Sequence, residues 1–206
     1  MRARIAAETL AQDRAAGTQL APVPQSAPVP QSAPPPALAV PADRPASAVR
    51  ADFRDVMSHL AASVFVVTAA PGGCPSGLTI TSLTSHSDLP PAISFNIAHT
   101  SRSHEPVVSA SMIGVHILAA DQQLAAQVFS SSVDDKFRMV DWRYDGGVPR
   151  LAGALAFLLC EPAAVFRHGD HSIVVAEAVQ SYRRDGISLV YSRRSFGWQL
   201  SKFSGP

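Results

Sequence analysis

A short polar segment, Thr100-Ser101-Arg102-Ser103, has the residue types of an anion-binding site. It precedes a predicted short helix that runs to Ala110, and the first N–H groups of a helix have no partner inside that helix. Hydroxyl groups, a guanidinium and those N–H groups can together bind a phosphate. The alternative is that Ser103 simply caps the helix. The two interpretations are compatible.

Two histidines flank a second polar segment, His168-Gly169-Asp170-His171. Gly169 and Asp170 are typical of a tight turn, which leaves His171 as the residue that turn formation does not explain. We expect no metal site, because no third His, Cys or carboxylate lies at a ligand-like spacing. A serine hydrolase is a distant alternative, since there is no Gly-x-Ser-x-Gly motif and adjacent Asp and His residues do not easily align as a triad.

A third segment, Thr79-Ile80-Thr81-Ser82-Leu83-Thr84, carries small hydroxyl side chains at four of its six positions. Small polar side chains let a ligand approach the backbone closely and add hydrogen-bond donors without bulk. Taken alone, the segment is more typical of an exposed Thr/Ser-rich strand than of a binding site, because short motifs often mislead.

Two further helices are predicted from caps and apolar spacing. Asp52 is expected to open the folded domain and to cap a helix with apolar residues at Phe53, Val56, Met57 and Leu60. Asp121 is expected to cap another, in which one face is lined by Leu124, Ala125, Val128 and Phe129.

Most of the remaining chain is predicted to be β-structure, because β-branched and aromatic runs are separated by turn residues. The predicted strands are 63–68, 78–84, 92–97, 113–118, 154–166, 172–182, 187–191 and 196–200. The segment Pro71–Gly77 should close one hairpin, and Asp185-Gly186 another. Strands joined by hairpins, with short helices between them, indicate an antiparallel barrel. The sequence has neither a βαβ alternation nor a glycine-rich phosphate loop, so it does not indicate a Rossmann domain.

The first part of the chain has a different composition. The hexapeptide APVPQS occurs twice, at residues 21–26 and 27–32, and nine of the seventeen prolines precede residue 46. Proline fixes φ and removes a backbone donor, so residues 1–47 are expected to be a disordered, extended tether. A ligand for a proline-binding domain is the less favoured alternative. The folded domain is accordingly predicted to comprise residues 48–206.

The charge and composition exclude several classes of function. Formal net charge is +1 and the basic residues are scattered, so there is no basic stripe for nucleic acid. No segment approaches the roughly 20 apolar residues that span a bilayer. The two cysteines, Cys74 and Cys160, do not form a disulfide framework. We therefore expect a cytoplasmic protein that binds neither nucleic acid nor membranes.

The segment Gly77–Pro91, GLTITSLTSHSDLPP, resembles the signature of the flavin reductase family, the small reductase components of two-component flavin monooxygenases. The likeness extends over nearly all of residues 50–200. It continues at Asn96, Thr100–Ser103, Val115–Leu118, Gln127–Ser130, Lys136-Phe137, Leu151–Ala154, Cys160-Glu161 and Gly169–His171. No single piece is specific, but the order and spacing of the pieces together are.

The resemblance implies a mainly β fold, an antiparallel split β-barrel of Greek-key type with short peripheral helices. It also implies the residues that bind the cofactors, with His171 as the catalytic candidate that positions the nicotinamide. The predicted cofactor-binding residues are Thr79, Ile80, Thr81, Ser82, Leu83, Thr84, Asn96, Ser101, Arg102, Ser103, Lys136, Phe137, Gly169, Asp170 and His171. For Lys136, an ordinary solvated lysine is an equally good interpretation.

The function implied is an NAD(P)H-dependent flavin reductase that supplies reduced FMN or FAD to a partner monooxygenase. Hydride would pass from the nicotinamide to the flavin with the two rings held near contact, and this transfer needs no general acid. The resemblance also implies a homodimer with the flavin near the subunit interface. A non-enzymatic flavin-binding protein on the same barrel is the alternative. The residues leave open the choice of FMN or FAD and of NADH or NADPH.

Overall fold

The computed structural model of the protein describes residues 45–198. Residues 1–44 of the predicted tether lie outside this range, and so do residues 199 and 200 of the last predicted strand.

Three α-helices occur between residues 45 and 198, and two of them begin at a different residue from the predicted one. Helix α1 spans Ala46–Ser58 and follows Pro45, so the prediction of a start at Asp52 was wrong. The Ala and Arg residues ahead of Asp52 favour a helix, and it begins where Pro45 stands in extended conformation.

Helix α2 spans His104–Val108 directly after Ser103, as the cap position predicted, although Ser103 makes no side-chain capping bond. Helix α3 spans Gln123–Ser130 and follows Gln122 instead of Asp121. Its buried residues are Ala125, Ala126, Val128 and Phe129, whereas Leu124 is exposed, which corrects the predicted apolar face.

Twelve strands are found in the described part of the chain, together with two short 3₁₀ turns at Pro71–Gly73 and Lys136–Met139. In chain order, the strands are β1 Ala62–Ser63, β2 Phe65–Ala69, β3 Ser76–Ile80, β4 Thr84–Asp88, β5 Pro91–Ala98, β6 Ile113–Ile117, β7 Trp142–Asp145, β8 Val148–Leu151, β9 Ala156–His168, β10 His171–Arg183, β11 Val190–Ser192 and β12 Ser195–Trp198.

The largest sheet has seven strands in the order β3-β2-β6-β9-β10-β5-β4, and each pair in it is antiparallel. Its two edge strands, β3 and β4, are joined by only three residues, Thr81–Leu83. Three residues span at most about 11 Å, so the sheet has to roll up until its edges lie side by side. The result is a barrel with an open seam at Thr81–Leu83, which confirms the predicted split-barrel fold.

The barrel is filled by alternate side chains of its strands. The main core includes Phe65, Phe95, Ile97, Ile113 and Val174, all of them buried. Outside the barrel, α3 packs its buried face against β2 and β3, and a second core forms around Val66, Leu118 and Phe129. This second core holds α3 and the loop after it next to the seam.

The end of the described chain departs from the predicted meander. Asp185-Gly186 does not close a hairpin, because β11 pairs with β1 and β12 in a separate three-stranded sheet instead of with β10. One of the two partners of β11 is thus about 130 residues earlier in the chain, at Ala62–Ser63. A long-range pairing of this kind has no signature in the local sequence.

The two cysteines differ in their exposure to solvent. Cys74 is exposed, and Cys160 lies buried in β9, where burial raises the pKa of the thiol to about 12. Cys160 is therefore a buried, protonated side chain that packs as a small apolar residue. Among the helices of residues 45–198, none is long and apolar enough to cross a membrane.

Candidate functional site

A cleft of about 1310 Å³ lies at the open seam of the barrel. Its walls come from β3 and the seam, β5, the loop before α2, α3 and the segment after it, the β9–β10 hairpin, α1 and the β11–β12 turn. The segments that the sequence singled out, at residues 79–84, 100–103 and 168–171, are separate in the chain. The rolled sheet brings them to one cavity.

The cleft is strongly cationic. Among the described residues, five basic side chains line it, namely Arg50, Arg54, Arg102, Lys136 and Arg194, and one carboxylate does, that of Asp170. Hydroxyl side chains of Thr79, Thr81, Ser82, Thr100, Ser101, Ser103, Ser130, Ser131, Ser132 and Tyr191 also line it. This combination of donors fits a ligand that carries phosphate groups.

At the seam, Ser82 takes the place of a missing strand partner. Its Oγ accepts a hydrogen bond from the Asn96 N–H at 3.0 Å and lies 3.3 Å from the Asn96 carbonyl oxygen. Thr79 donates its hydroxyl to the carbonyl of Ala126 in α3, at 2.8 Å. Thr79, Ile80, Thr81, Ser82 and Asn96 all line the cleft. Thr81 and Ser82 lie between two edge strands, where backbone N–H groups can face a ligand.

Three predicted residues do not line the cleft. Leu83 packs against the main core, and Thr84 pairs with Ser94 in the β4–β5 ladder. Phe137 packs edge-to-face on Phe129 and Trp142, with ring centroids 5.1 Å apart in both pairs. These residues support the walls and do not face a ligand in the cleft.

The loop before α2 is tied to the rest of the protein. Ser103 is almost fully buried, and its hydroxyl donates to the Gly77 carbonyl at 2.9 Å. Arg102 binds Asp134 at 2.5 Å and the carbonyls of Ser132 and Val133. The sequence assigned the Arg102 guanidinium to a phosphate, but these N–H donors bind the segment after α3. Ser101 and Arg102 still line the cleft.

Lys136 is held by main-chain oxygens. Its ammonium donates to the carbonyls of Phe129 at 2.9 Å and Gly77 at 3.3 Å, and a third N–H remains. Burial, with a smaller contribution from Arg102, lowers the pKa of Lys136 from its usual range. No carboxylate of the described residues neutralises it, so the cation is available to an anionic ligand at the cleft wall.

The β9–β10 hairpin forms another wall of the cleft. Gly169 stands at its tip with φ of +58°, a conformation that glycine adopts without strain. His171 Nδ1 lies 2.7 Å from the Asp170 carboxylate, and this bond is the main reason why the pKa of Asp170 is lowered. With Nδ1–H donated to Asp170, His171 retains Nε2 for a ligand.

A histidine pair anchors the hairpin beside its tip. The buried Ser172 hydroxyl lies 3.1 Å from His99 Nε2 and 2.9 Å from His104 Nε2. The backbone N–H of His99 also donates to the Asp170 carbonyl at 2.9 Å. Burial, and then the neighbouring His99 and Arg167, lower the pKa of His104, so the imidazole is neutral at neutral pH. The anchor fixes the position of His171.

Several cleft residues were not among those predicted. They are Arg50, Phe53 and Arg54 of α1, and Tyr191, Arg194 and Phe196 of the three-stranded sheet. The spacing of Arg50 and Arg54 on one helical face is visible in the sequence, but what that face contacts is not. His168, which is also not among the predicted cofactor-binding residues, lines the cleft as well.

A second, smaller cavity of about 400 Å³ lies near β7 and β8 and includes Arg150 and Tyr182. The Arg150 guanidinium is already engaged there, by Asp145 at 2.6 Å and by the Tyr182 ring at 4.2 Å. Residues 45–198 contain no cluster of three or more His, Cys, Asp or Glu that could hold a metal ion. The cleft at the seam is therefore the candidate site.

Comparison with known proteins agrees with this geometry. Residues 57–199 match a family model described as "Flavin reductase like domain". A reductase component of Rhodococcus opacus, that of 4-nitrophenol 4-monooxygenase/4-nitrocatechol 2-monooxygenase, is 37% identical over 148 residues. That alignment covers 72% of this chain and 80% of the relative.

Two more similarities involve named cofactors. The FMN reductase (NADH) SmoA of Agrobacterium fabrum is 35% identical over 146 residues, which are 70% of this chain and 83% of the relative. The solved structure of a Streptomyces globisporus NADH:FAD oxidoreductase, in complex with NAD and FAD fragments, aligns with a TM-score of 0.71. It is 29% identical, and the alignment covers 76% of this chain and 95% of that one.

Proposed function

This chain belongs to the flavin reductase-like family, and on that premise we propose that its cleft binds a flavin and a pyridine nucleotide together for hydride transfer. The protein is an NAD(P)H-dependent flavin reductase. The relatives named as NADH and NADPH flavin reductases favour this function over the alternative of a non-enzymatic flavin-binding protein.

The cationic cleft at the barrel seam is the observation that carries the proposal. It places the Thr81-Ser82 seam, the Ser101-Arg102 loop and the His171 hairpin around one cavity, with five basic side chains and one carboxylate. FMN and FAD carry phosphate, and their ring gains electron density on its pyrimidine edge when it is reduced. N–H donors at one end and cations at the other fit both requirements.

The roles of the residues follow from their contacts. The seam supplies backbone N–H groups to the ring, and Lys136 and Ser101 serve the phosphate end. His171 is held by Asp170 and by the anchored hairpin, so its Nε2 can orient the nicotinamide. When bound, the flavin accepts a hydride from the reduced nicotinamide. The protein has only to hold the rings about 3–3.5 Å apart and exclude water.

The purified protein should therefore oxidise NADH or NADPH when FMN or FAD is added, and His171→Ala should impair this step selectively. We expect the KM for the pyridine nucleotide to rise, or single-turnover flavin reduction to slow, about five-fold, the value of one hydrogen bond of about 1 kcal/mol. The flavin Kd should change little. Stopped-flow reduction and fluorescence titration measure the two quantities.

His86→Ala is the matched control, because His86 lies on β4 and does not line the cleft. His168→Ala is informative too, since His168 does line it. Equal losses in all three variants would indicate hairpin or sheet stability instead of nucleotide positioning. No oxidation of either nucleotide with either flavin would contradict the reductase function itself.

The protein that receives the reduced flavin is a flavin-dependent enzyme, since relatives are reductase components of two-component systems. We propose that this partner is a monooxygenase. The reductase component of a Rhodococcus monooxygenase is 37% identical to this chain.

We also propose that the protein is a homodimer and that a second copy covers the outer face of the β9–β10 ribbon. On that face Phe166, Ile173 and Asn96 stand directly opposite one another, and Ala164 and Val175 form the next row. Phe166 is 58% exposed and Ile173 40% exposed. An exposed apolar row on long paired strands, continuous with the cleft, is typical of a subunit interface.

Phe166→Glu should therefore convert the dimer to a monomer in sedimentation or light-scattering measurements, because it places a charge in the centre of the apolar row. Leu124→Glu is the control, since Leu124 is equally exposed on α3. A wild-type protein of monomer mass at micromolar concentration would contradict the proposal.

A further inference from the structure

Three arginines in the cleft have no role in the site described so far. Arg50 and Arg54 belong to α1, and Arg194 belongs to the turn between β11 and β12. Unlike Arg102, which binds Asp134, none of the three forms a side-chain hydrogen bond or ion pair with the described residues. Their donor groups are free for a ligand.

Helix α1 presents two of these arginines on one face. Arg50 and Arg54 are four residues apart, one helical turn, with Phe53 beside them, and all three line the cleft. None of the thirteen residues of α1 is buried against the described part of the chain. Arg50 also contributes to lowering the pKa of Asp170, which places α1 near the tip of the His171 hairpin.

The turn that carries Arg194 has an unusual sequence for its conformation. Ser192 pairs with Ser195, so the turn consists of Arg193 and Arg194, with φ of +48° and +61°. Asn and Gly adopt such angles most easily, and two-residue hairpins of this type strongly prefer them. Arginine at positions 193 and 194 therefore lowers the stability of the folded protein. Of the two side chains, that of Arg194 lines the cleft.

The helix and the turn are linked directly. The Arg193 N–H donates to the carbonyl of Ser58, the last residue of α1, at 2.7 Å. This bond ties the turn bearing Arg194 to the helix bearing Arg50 and Arg54. The three guanidinium groups thus reach the cleft from one connected unit, separate from Lys136 and Arg102.

We propose that Arg50, Arg54 and Arg194 form a second phosphate subsite, which binds the phosphate groups of a dinucleotide in the cleft. The inference rests on the proposed reductase function. A cleft of about 1310 Å³ exceeds the roughly 1,000 Å³ upper range of sites for a single drug-sized ligand, so it has room for a second nucleotide. Guanidinium groups pair with phosphate oxygens in a bidentate geometry, and three of them match a ligand with several phosphate charges.

The test uses the double variant R50Q/R54Q and the single variant Arg194→Gly. Glutamine is a good helix former, so α1 should persist in the double variant. We expect a binding loss of about ten-fold for the dinucleotide, with a weaker dependence on ionic strength than the wild type shows. FMN affinity should stay within two-fold. Arg194→Gly should also weaken dinucleotide binding while it raises Tm by a few degrees, which a purely structural role would not produce.

Separate arms identify the source of the phosphates. Kd is measured by fluorescence titration for FMN and FAD, and KM by steady-state kinetics for NADH and NADPH. Weaker binding of FAD alone supports a subsite for the diphosphate of FAD. An equal rise in KM for NADH and NADPH supports a subsite for the diphosphate of the pyridine nucleotide. An effect confined to NADPH supports recognition of its 2′-phosphate.

Arg193→Gln is the matched control, because Arg193 is adjacent, exposed and also at positive φ but does not line the cleft. The inference is overturned if all four ligands bind the variants within two-fold of the wild type, or if Arg193→Gln has the same effect. A wild-type protein without NAD(P)H oxidation would contradict the proposed function instead, and the FMN and FAD titrations would still test the flavin diphosphate arm.

Discussion

Gly77→Val should destabilise the protein by about 3 kcal/mol and weaken flavin binding by ten-fold or more, because it overpacks the wall between α3 and the cleft. A Cβ at Gly77 would lie 2.7 Å from Phe129 Cε1 and 3.1 Å from the Val67 carbonyl oxygen. Phe129 is buried, so its ring cannot simply move into solvent. Urea unfolding and FMN titration measure the two effects.

The loss of flavin binding follows from what the Gly77 carbonyl holds. It accepts hydrogen bonds from the Ser103 hydroxyl at 2.9 Å and from the Lys136 ammonium at 3.3 Å. A shift of β3 away from Phe129 moves this carbonyl, and with it two residues of the predicted phosphate site. Gly77 thus connects the packing of the barrel to the geometry of the cleft.

A double-mutant cycle with Phe129→Ala provides the control. By itself, Phe129→Ala opens a cavity and destabilises the protein, but it also makes room for the valine at position 77. The double variant should therefore be more stable than the sum of the single effects predicts, by about 1 kcal/mol or more. Additive losses would show that the clash with Phe129 is not the cause, and normal flavin affinity in Gly77→Val would remove the link to the cleft.

The parts of the fold that the sequence predicted depend on local signals. The β9–β10 hairpin was predicted at its observed place because Gly169-Asp170 turns the chain between two long β-branched runs. The Pro71–Gly77 turn was also placed correctly between β2 and β3. Turn residues and strand propensity act within a few residues, so one sequence is enough to detect them.

The incorrect predictions concern positions at which the chain had a stronger alternative, a nearby one for α1 and a distant one for β11. Asp52 has the composition of a cap, but Pro45 precedes a helix-forming run and the helix begins there. Asp185-Gly186 has the composition of a hairpin, but β11 pairs with β1. In both cases the local preference was weaker than an alternative elsewhere in the chain.

For the site, twelve of the fifteen predicted cofactor-binding residues line one cleft, and Leu83, Thr84 and Phe137 do not. The family pattern marks segments, whereas alternate residues of a strand face opposite sides, so a segment includes residues that support the wall. The arginines of α1 could not be predicted because their role depends on where the helix lies on the barrel.

A buried histidine in β6 has a hydrogen-bond partner for each of its two ring nitrogens. His116 is fully buried, its Nδ1 lies 3.0 Å from the Val66 carbonyl oxygen, and its Nε2 accepts the Leu151 N–H at 3.1 Å. These partners define the neutral tautomer with the proton on Nδ1. Burial lowers the pKa of His116 to about 4, with a smaller contribution in the same direction from Arg150, while the Val66 bond acts in the opposite direction.

Acidification should therefore destabilise the protein through His116 over a defined range of pH. In the unfolded chain the imidazole binds a proton as pH falls through about 6.5, whereas the folded protein resists protonation down to about pH 4. The stabilising difference is fully present above pH 6.5 and is lost between pH 6.5 and 4. The total loss is about 3 kcal/mol, from 2.5 pH units at 1.36 kcal/mol each.

Urea unfolding of the wild type and His116→Gln at a series of pH values tests this expectation. The variant keeps an acceptor for the Leu151 N–H but cannot titrate, so it should be less stable at pH 7.5 and lose less stability on acidification. Other titrating groups act in both proteins, and the difference between the two free energies of unfolding isolates His116. That difference should shrink by about 3 kcal/mol between pH 7.5 and 4. A difference independent of pH would mean that folded His116 titrates as it does in the unfolded chain.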